Sequence, residues 1–142
     1  MTKETTTIKQ TELFPAKPIQ VYQALVDAKK HTEFTGSEAT SNQKVGGKFT
    51  AWEGYIFGKN LKLEKGKKIV QEWQTTEWPP DYPPSIVEFT LKATRTGTEL
   101  TMVQSKVPAE QADSYREGWT DYYWKPLRQY FAKKKRSAKN ND

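Results

Sequence analysis

His31 is the only histidine in a chain of 142 residues that has no cysteine. A structural zinc site takes four nitrogen or sulfur ligands and a catalytic one about three from the protein, so a lone imidazole holds neither. Disulfides and thiolate nucleophiles are excluded outright. Carboxylate-only clusters at metal spacing are not evident either. As a general base His31 would need a nucleophile or an orienting carboxylate within reach, and Glu33 is near it in sequence alone. It reads as a helix-end or pocket-rim histidine. No G-x-S-x-G, P-loop or dinucleotide glycine pattern occurs, and Gly46-Gly47 has the look of a hairpin turn, not a phosphate cradle. No catalytic residue, metal or cofactor is expected.

Polar residues on strands offer a different chemistry. If Phe49 and Ala51 face a helix, alternation puts Glu53 on the same side. If Ile69 and Trp73 do, so does Gln71, and Leu100 and Met102 bring Gln104 inward. A few such groups on an apolar wall describe a small-molecule site. A bulge near Gly54 would instead turn Glu53 to solvent, and the sequence leaves both outcomes open. A desolvated Glu53 with a raised pKa, or His31, would be the proton carrier of an enzyme. A carboxylate without a partner makes a binding site the preferred reading.

The aromatic residues concentrate in EGWTDYYWKPLRQYF, residues 117–131. At ~100° per residue, Tyr115, Gly118, Trp119, Tyr122, Tyr123, Pro126, Leu127 and Tyr130 share about half of a helix surface, with Trp124 and Phe131 toward the other side. A stripe this wide suits a helix held in a concave sheet. Pro126 cannot donate to the Tyr122 carbonyl, so a kink is expected there. The stripe is either a curved core helix or partly the wall of a cavity. The hydroxyls, which need partners if buried, favour some cavity lining. The expected lining is Phe34, Phe49, Phe57, Trp73 and Phe89, with Met102, Trp119, Tyr122 and Tyr123. Glu53, Gln71 and Gln104 would orient the ligand.

The elements that position these residues are readable in order. Thr5 to Leu13 suggests a first strand. Pro18 opens a helix whose apolar face is Ile19, Tyr22, Leu25 and Val26, ending near Asp27 to Lys30. A short helical turn carries His31 to Phe34, closed by Gly36. Turn signals at Gly46-Gly47, Gly58-Lys59-Asn60 and Lys65-Gly66-Lys67 punctuate strands at Lys48 to Trp52, Asn60 to Leu63 and Lys68 to Thr75. After the proline-rich loop Trp78 to Pro84 come strands at Ser85 to Ala93 and Glu99 to Lys106. The last helix opens at Pro108, or as late as Tyr115 if Ser114 and Glu117 form a capping box. Asp121 and Lys125 pair at i, i+4. Strands segregated from helices imply an α+β fold: about six to seven antiparallel strands curved around a long C-terminal helix.

The length suits one domain, set at residues 1–132. The net charge of +6 lies mostly in residues 133–142, where Lys133, Lys134, Lys135, Arg136 and Lys139 face only Asp142. That segment is expected to be a disordered, solvated tail, which argues against a nucleic-acid partner. No apolar run approaches the ~20 residues of a membrane span, and a soluble cytoplasmic protein, monomer or dimer, is expected.

The segments HTEFTGSEA, VGGKFTAWEGYIFGKNLKLEKGKKIVQEW, GTELTMVQSKVP and EGWTDYYWKPL together resemble the activator of heat-shock-protein-90 ATPase homologue family, within the START-like (birch-pollen-allergen-like) superfamily. The resemblance runs from about Phe14 to Phe131 and is carried by Gly46-Gly47, Phe49, Gly54, Gly58, Asn60, Ile69, Trp73 and Gly118-Trp119. It implies a helix-grip fold. Its superfamily includes carriers of lipids and flat aromatic molecules, cyclases and chaperone-regulating domains. In the founding co-chaperone a domain of this kind follows a separate N-terminal domain that contributes to activation, and no such domain is expected in this chain. The partners it implies are therefore an apolar or aromatic small molecule and, as an alternative, a chaperone bound in a stress response.

Overall fold

A computed structural model describes residues 4–140, with side chains as far as Lys134. Strand β1 (Thr5–Phe14) leads into helices α1 (Pro18–Val26) and α2 (Ala28–Thr35). Pro18 sits at the start of α1, where its missing N–H costs nothing. Gly36 ends α2 in the left-handed conformation, φ 78°. Six strands follow: β2 (Thr40–Ser41), β3 (Lys48–Ala51), β4 (Ile56–Glu64), β5 (Lys68–Thr75), β6 (Ser85–Thr94) and β7 (Gly97–Pro108). They form one antiparallel sheet in the order β1-β7-β6-β5-β4-β3-β2. This is the α+β helix-grip arrangement implied by the sequence.

Alternation is clearest in β5 and β7. Along β5, Ile69, Gln71, Trp73 and Thr75 are buried and their neighbours half-buried, as a sheet with one face on the core requires. Two boundaries differ from expectation. Gly58-Lys59-Asn60 is not a turn but the middle of β4. A Cβ on Gly58 would collide with the Glu72 carbonyl of β5, so the glycine marks close strand approach. The turn lies earlier, at Trp52 to Tyr55, where Trp52, Glu53 and Gly54 are all left-handed (φ 52°, 59° and 90°).

The C-terminal helix is built in three pieces. A single 3-10 turn (Ala109–Gln111) precedes α3 (Ala112–Trp119), five residues of π-helix (Thr120–Trp124) follow, and α4 (Lys125–Asn140) completes it. Ser114 therefore lies inside α3 and caps nothing. A wide π-turn stands immediately before Pro126, with Lys125 N–H bonded to Thr120 O five residues back; the helix continues through the proline, which lacks the N–H for the next such bond. Hydrogen bonding from i to i+5 also brings residues five apart onto one face. Trp119 and Trp124 stack at 5.4 Å with an interplanar angle of 17°, and Tyr122 is left 58% exposed. Trp124 and Phe131, placed on the far side by regular helix spacing, are both buried core residues. The backbone of residues 133–140, expected as a disordered tail, continues α4; its lysines, arginine and alanine are good helix formers. Residues 141–142 of that tail lie outside the described residues.

Candidate functional site

Where α3 and the π-turn pass over the ends of β4 and β5, a cleft of about 460 Å³ remains. The helix contributes Ser114, Tyr115, Gly118, Trp119, Tyr122 and Tyr123 to it. The sheet contributes Ile56 and Trp73, and the loops at its end bring in Trp52, Tyr55 and Glu77. Gly118 opens the space: a Cβ there would meet nothing nearer than Tyr122 Cδ2 at 3.8 Å.

Two of the phenols in the wall are tied to protein partners. Tyr115 Oη is 2.8 Å from Thr75 Oγ1 and donates to Gln111 Oε1 at 2.9 Å. Burial pushes its pKa up. Tyr55 donates to the Glu77 carboxylate at 2.7 Å. Desolvation, with help from that bond, pushes the Tyr55 phenol up to about 12. The indole N–H of Trp52 is buried with no acceptor among the described residues. Trp52 is held in its left-handed conformation by a turn in which Glu53 N donates to Glu38 O at 2.9 Å and Tyr55 N to Trp52 O at 3.1 Å. A bulky residue at positive φ costs about 1–3 kcal/mol and persists only where its surroundings over-determine it. Here the strained turn places the Trp52 ring edge-on to Tyr122 at 5.4 Å.

The expected lining residues divide into groups. Trp73, Trp119, Tyr122 and Tyr123 border the cleft. Phe49, Gln71 and Phe89 border instead a separate void of about 20 Å³, room for one water at most. Phe34 and Met102 are packed core residues, and Phe57 alternates with the inward Ile56, away from the cleft. Glu53 is exposed: the left-handed turn ends the β3 alternation at Ala51 before Glu53 can face inward. Gln71 and Gln104 are not free to orient a ligand. Gln71 donates to Asn60 Oδ1 at 3.0 Å. Gln104 accepts from Trp119 Nε1 at 2.9 Å and donates to Ser85 Oγ at 3.0 Å. Buried amides usually find protein partners in this way. Trp52, Tyr55, Ile56, Glu77, Ser114 and Tyr115 were not anticipated in the lining. The run Trp52-Glu53-Gly54-Tyr55, aromatic residues around a glycine turn, was the available signal.

His31 is buried behind the cleft, with Nε2 3.2 Å from Tyr123 Oη and its ring edge-on to Phe34 at 4.7 Å. Desolvation holds its pKa down, at about 4, against weaker opposing hydrogen bonds to the backbone of Leu25 and Ala24. Burial likewise raises that of Tyr123. Neutral at ordinary pH and bonded to a tyrosine, His31 is a core residue. Among the described residues, no three histidine or acidic side chains come together as a metal site. Nor is any helix long and apolar enough to cross a membrane. Two further grooves, of about 380 and 530 Å³, flank α4; they carry Lys17, Lys30, Lys133 and Lys134 beside Phe34, Tyr130 and Phe131 and, among the described residues, no tryptophan.

A family model described as "Activator of Hsp90 ATPase homolog 1-like protein" matches residues 15–132. An activator of 90 kDa heat shock protein ATPase homolog from Dictyostelium discoideum is 32% identical over 81% of this chain and 30% of its own length. The human activator homolog 1 is 30% identical over 88% of this chain and 36% of its own. The chain thus spans about a third of the curated relatives it matches. Among solved structures, an HSP90 activator from Plasmodium falciparum superposes with a TM-score of 0.76 at 27% identity, covering 82% of this chain and 89% of that one. A protein from Mesorhizobium loti gives 0.74 at 25%, covering 90% and 98%.

Proposed function

This chain belongs to the family of Activator of Hsp90 ATPase homolog 1-like proteins, and from that premise we propose that it is a non-catalytic, cytoplasmic START-like domain that binds an apolar or aromatic small molecule in the cleft. One observation carries the reading: about 460 Å³ of space, walled by tryptophans and tyrosines, lies between the sheet and the helix it grips. Ligand sites run from about 300 to 1,000 Å³ and combine apolar walls with a few polar groups. The relatives' names favour a second reading, docking on a chaperone of the heat-shock-protein-90 class. A helix-grip domain can do both through different surfaces.

The test is to identify small molecules copurifying with the protein, then titrate the stripped form with methylnaphthalene and fatty acids. Thermal shift and tryptophan fluorescence report binding. Gly118→Leu fills the cleft and removes a glycine from a helix, so it should fold and lose saturable binding. Absence of saturable binding to the whole panel would sink the small-molecule reading. Stimulation of a purified chaperone ATPase, unchanged in Gly118→Leu, would support docking instead.

A further inference from the structure

We propose that the ligand of the cleft is an organic cation, a flat or compact apolar body bearing a positive charge, held by aromatic faces and by Glu77. This rests on the reading of the cleft as a ligand site and names its ligand class. The first support is ring geometry. Trp73 and Tyr115 meet at 88° with centroids 5.4 Å apart, and Trp52 and Tyr122 at 71° and 5.4 Å. The two pairs set aromatic surface on both sides of the cleft, Trp73 and Trp52 from the sheet and its end loop, Tyr115 and Tyr122 from the helix. The face of an aromatic ring is the negative side of its quadrupole and attracts a cation within about 6 Å.

The second support is the distribution of charge. Among the described residues, Glu77 is the one charged side chain in the wall and no lysine or arginine lines it, although the chain carries +6 overall. The wall residues also have acidic neighbours in sequence. Exposed Glu53 follows Trp52, and exposed Glu117 precedes Gly118. The nearest basic residues on the helix are engaged: Arg116 pairs with Asp113, and Lys125 with Asp121 at 3.3 Å. A carboxylate ligand would meet Glu77 with no countercharge in the wall, whereas a cation would find a carboxylate and π faces together. Local charge of one sign beside low-dielectric walls selects ligands in this way.

The experiment compares three probes of nearly one shape by equilibrium dialysis: N-methylquinolinium, methylnaphthalene and naphthoate. The cation is expected to bind about tenfold more tightly than the neutral ring and naphthoate most weakly. Glu77→Gln, which keeps an oxygen for the Tyr55 hydroxyl, should cut the cation's advantage severalfold and leave methylnaphthalene unchanged. Added salt should act as the mutation does. Neutral or anionic binding equal to or tighter than cationic binding would overturn the cation assignment while leaving the cleft a ligand site. No binding of any probe would overturn both. A cation preference undiminished in Glu77→Gln would overturn the role given to that carboxylate.

Discussion

The two ends of the C-terminal helix meet the same sheet in different ways. From Trp124 to Phe131 the contact is solid. Trp124, Leu127 and Phe131 are all buried, Phe14 packs on Trp124 at 6.1 Å and on Phe131 at 6.3 Å, and Trp124 Nε1 donates to Gln10 Oε1. From Ser114 to Tyr123 the helix instead spans the cleft, with a glycine where a side chain would fill it. The five-residue π-turn lies at the junction. It rotates the helix just enough that Trp119 and Trp124 can stack as one buried layer while Tyr122 swings to the mouth. One irregularity thus lets a single helix close a core and roof a cavity.

The sharpest way to break this contrast is at the solid end. Trp124→Ala should cost about 3–5 kcal/mol, since it leaves a cavity and strips Gln10 Oε1 of its donor; denaturant melts would read it. A loss below about 1 kcal/mol would mean that this end is as loosely filled as the other. Acid probes the seam between the ends. His31 titrates near 4 in the fold against 6.5 free, so the unfolded chain binds more protons between those values. Its contribution is complete above about pH 6.5 and falls away as pH drops toward 4, by about 3 kcal/mol in all. His31→Gln should flatten that stretch of the stability profile.

At the open end the expected sign reverses. Gly118→Ala should stabilise by about 0.5–1 kcal/mol, because its methyl group finds ordinary contact distance and no strained φ. A destabilisation would mean that the cleft closes over that position. Smallest of all, Tyr122→Ala should change stability by within about 0.5 kcal/mol. It should still weaken methylnaphthalene binding about threefold to tenfold, a separation that dialysis and melting would resolve together.

Most of the scaffold was legible because periodicity survives in it. The buried Val87, Phe89 and Leu91 of β6, Pro18 at the start of α1 and Gly36 at the end of α2 each carry a local physical signal. The lining of the cleft was legible only in part. Trp73, Trp119, Tyr122 and Tyr123 were found from helix and strand spacing. Trp52 and Tyr55 were not, because they leave the alternation through three left-handed residues, two of them non-glycine, and such conformations are set by tertiary contacts. Gly58-Lys59-Asn60 misled for a related reason: a glycine required by a neighbouring strand looks, in sequence, like one required by a turn. The π-turn left one trace, Pro126, read as a kink because the same missing hydrogen bond serves both. Glu53, Gln71 and Gln104 show the limit of alternation, which says which way a side chain starts but not whether it finds a partner.

The bond from Trp124 to Gln10 joins residues 114 positions apart, and β1 pairs along its length with β7, from Thr5 opposite Pro108 to Phe14 opposite Thr98. During synthesis at about 5–20 residues per second, the first strand must therefore wait several seconds for both its neighbours to leave the ribosome. Its composition suits the wait. TTTIKQTELF sets Ile8 and the closing Leu13-Phe14 among threonines, a glutamine and charges, so most of the segment stays solvated and unattractive to other nascent chains until the last helix arrives to cover it.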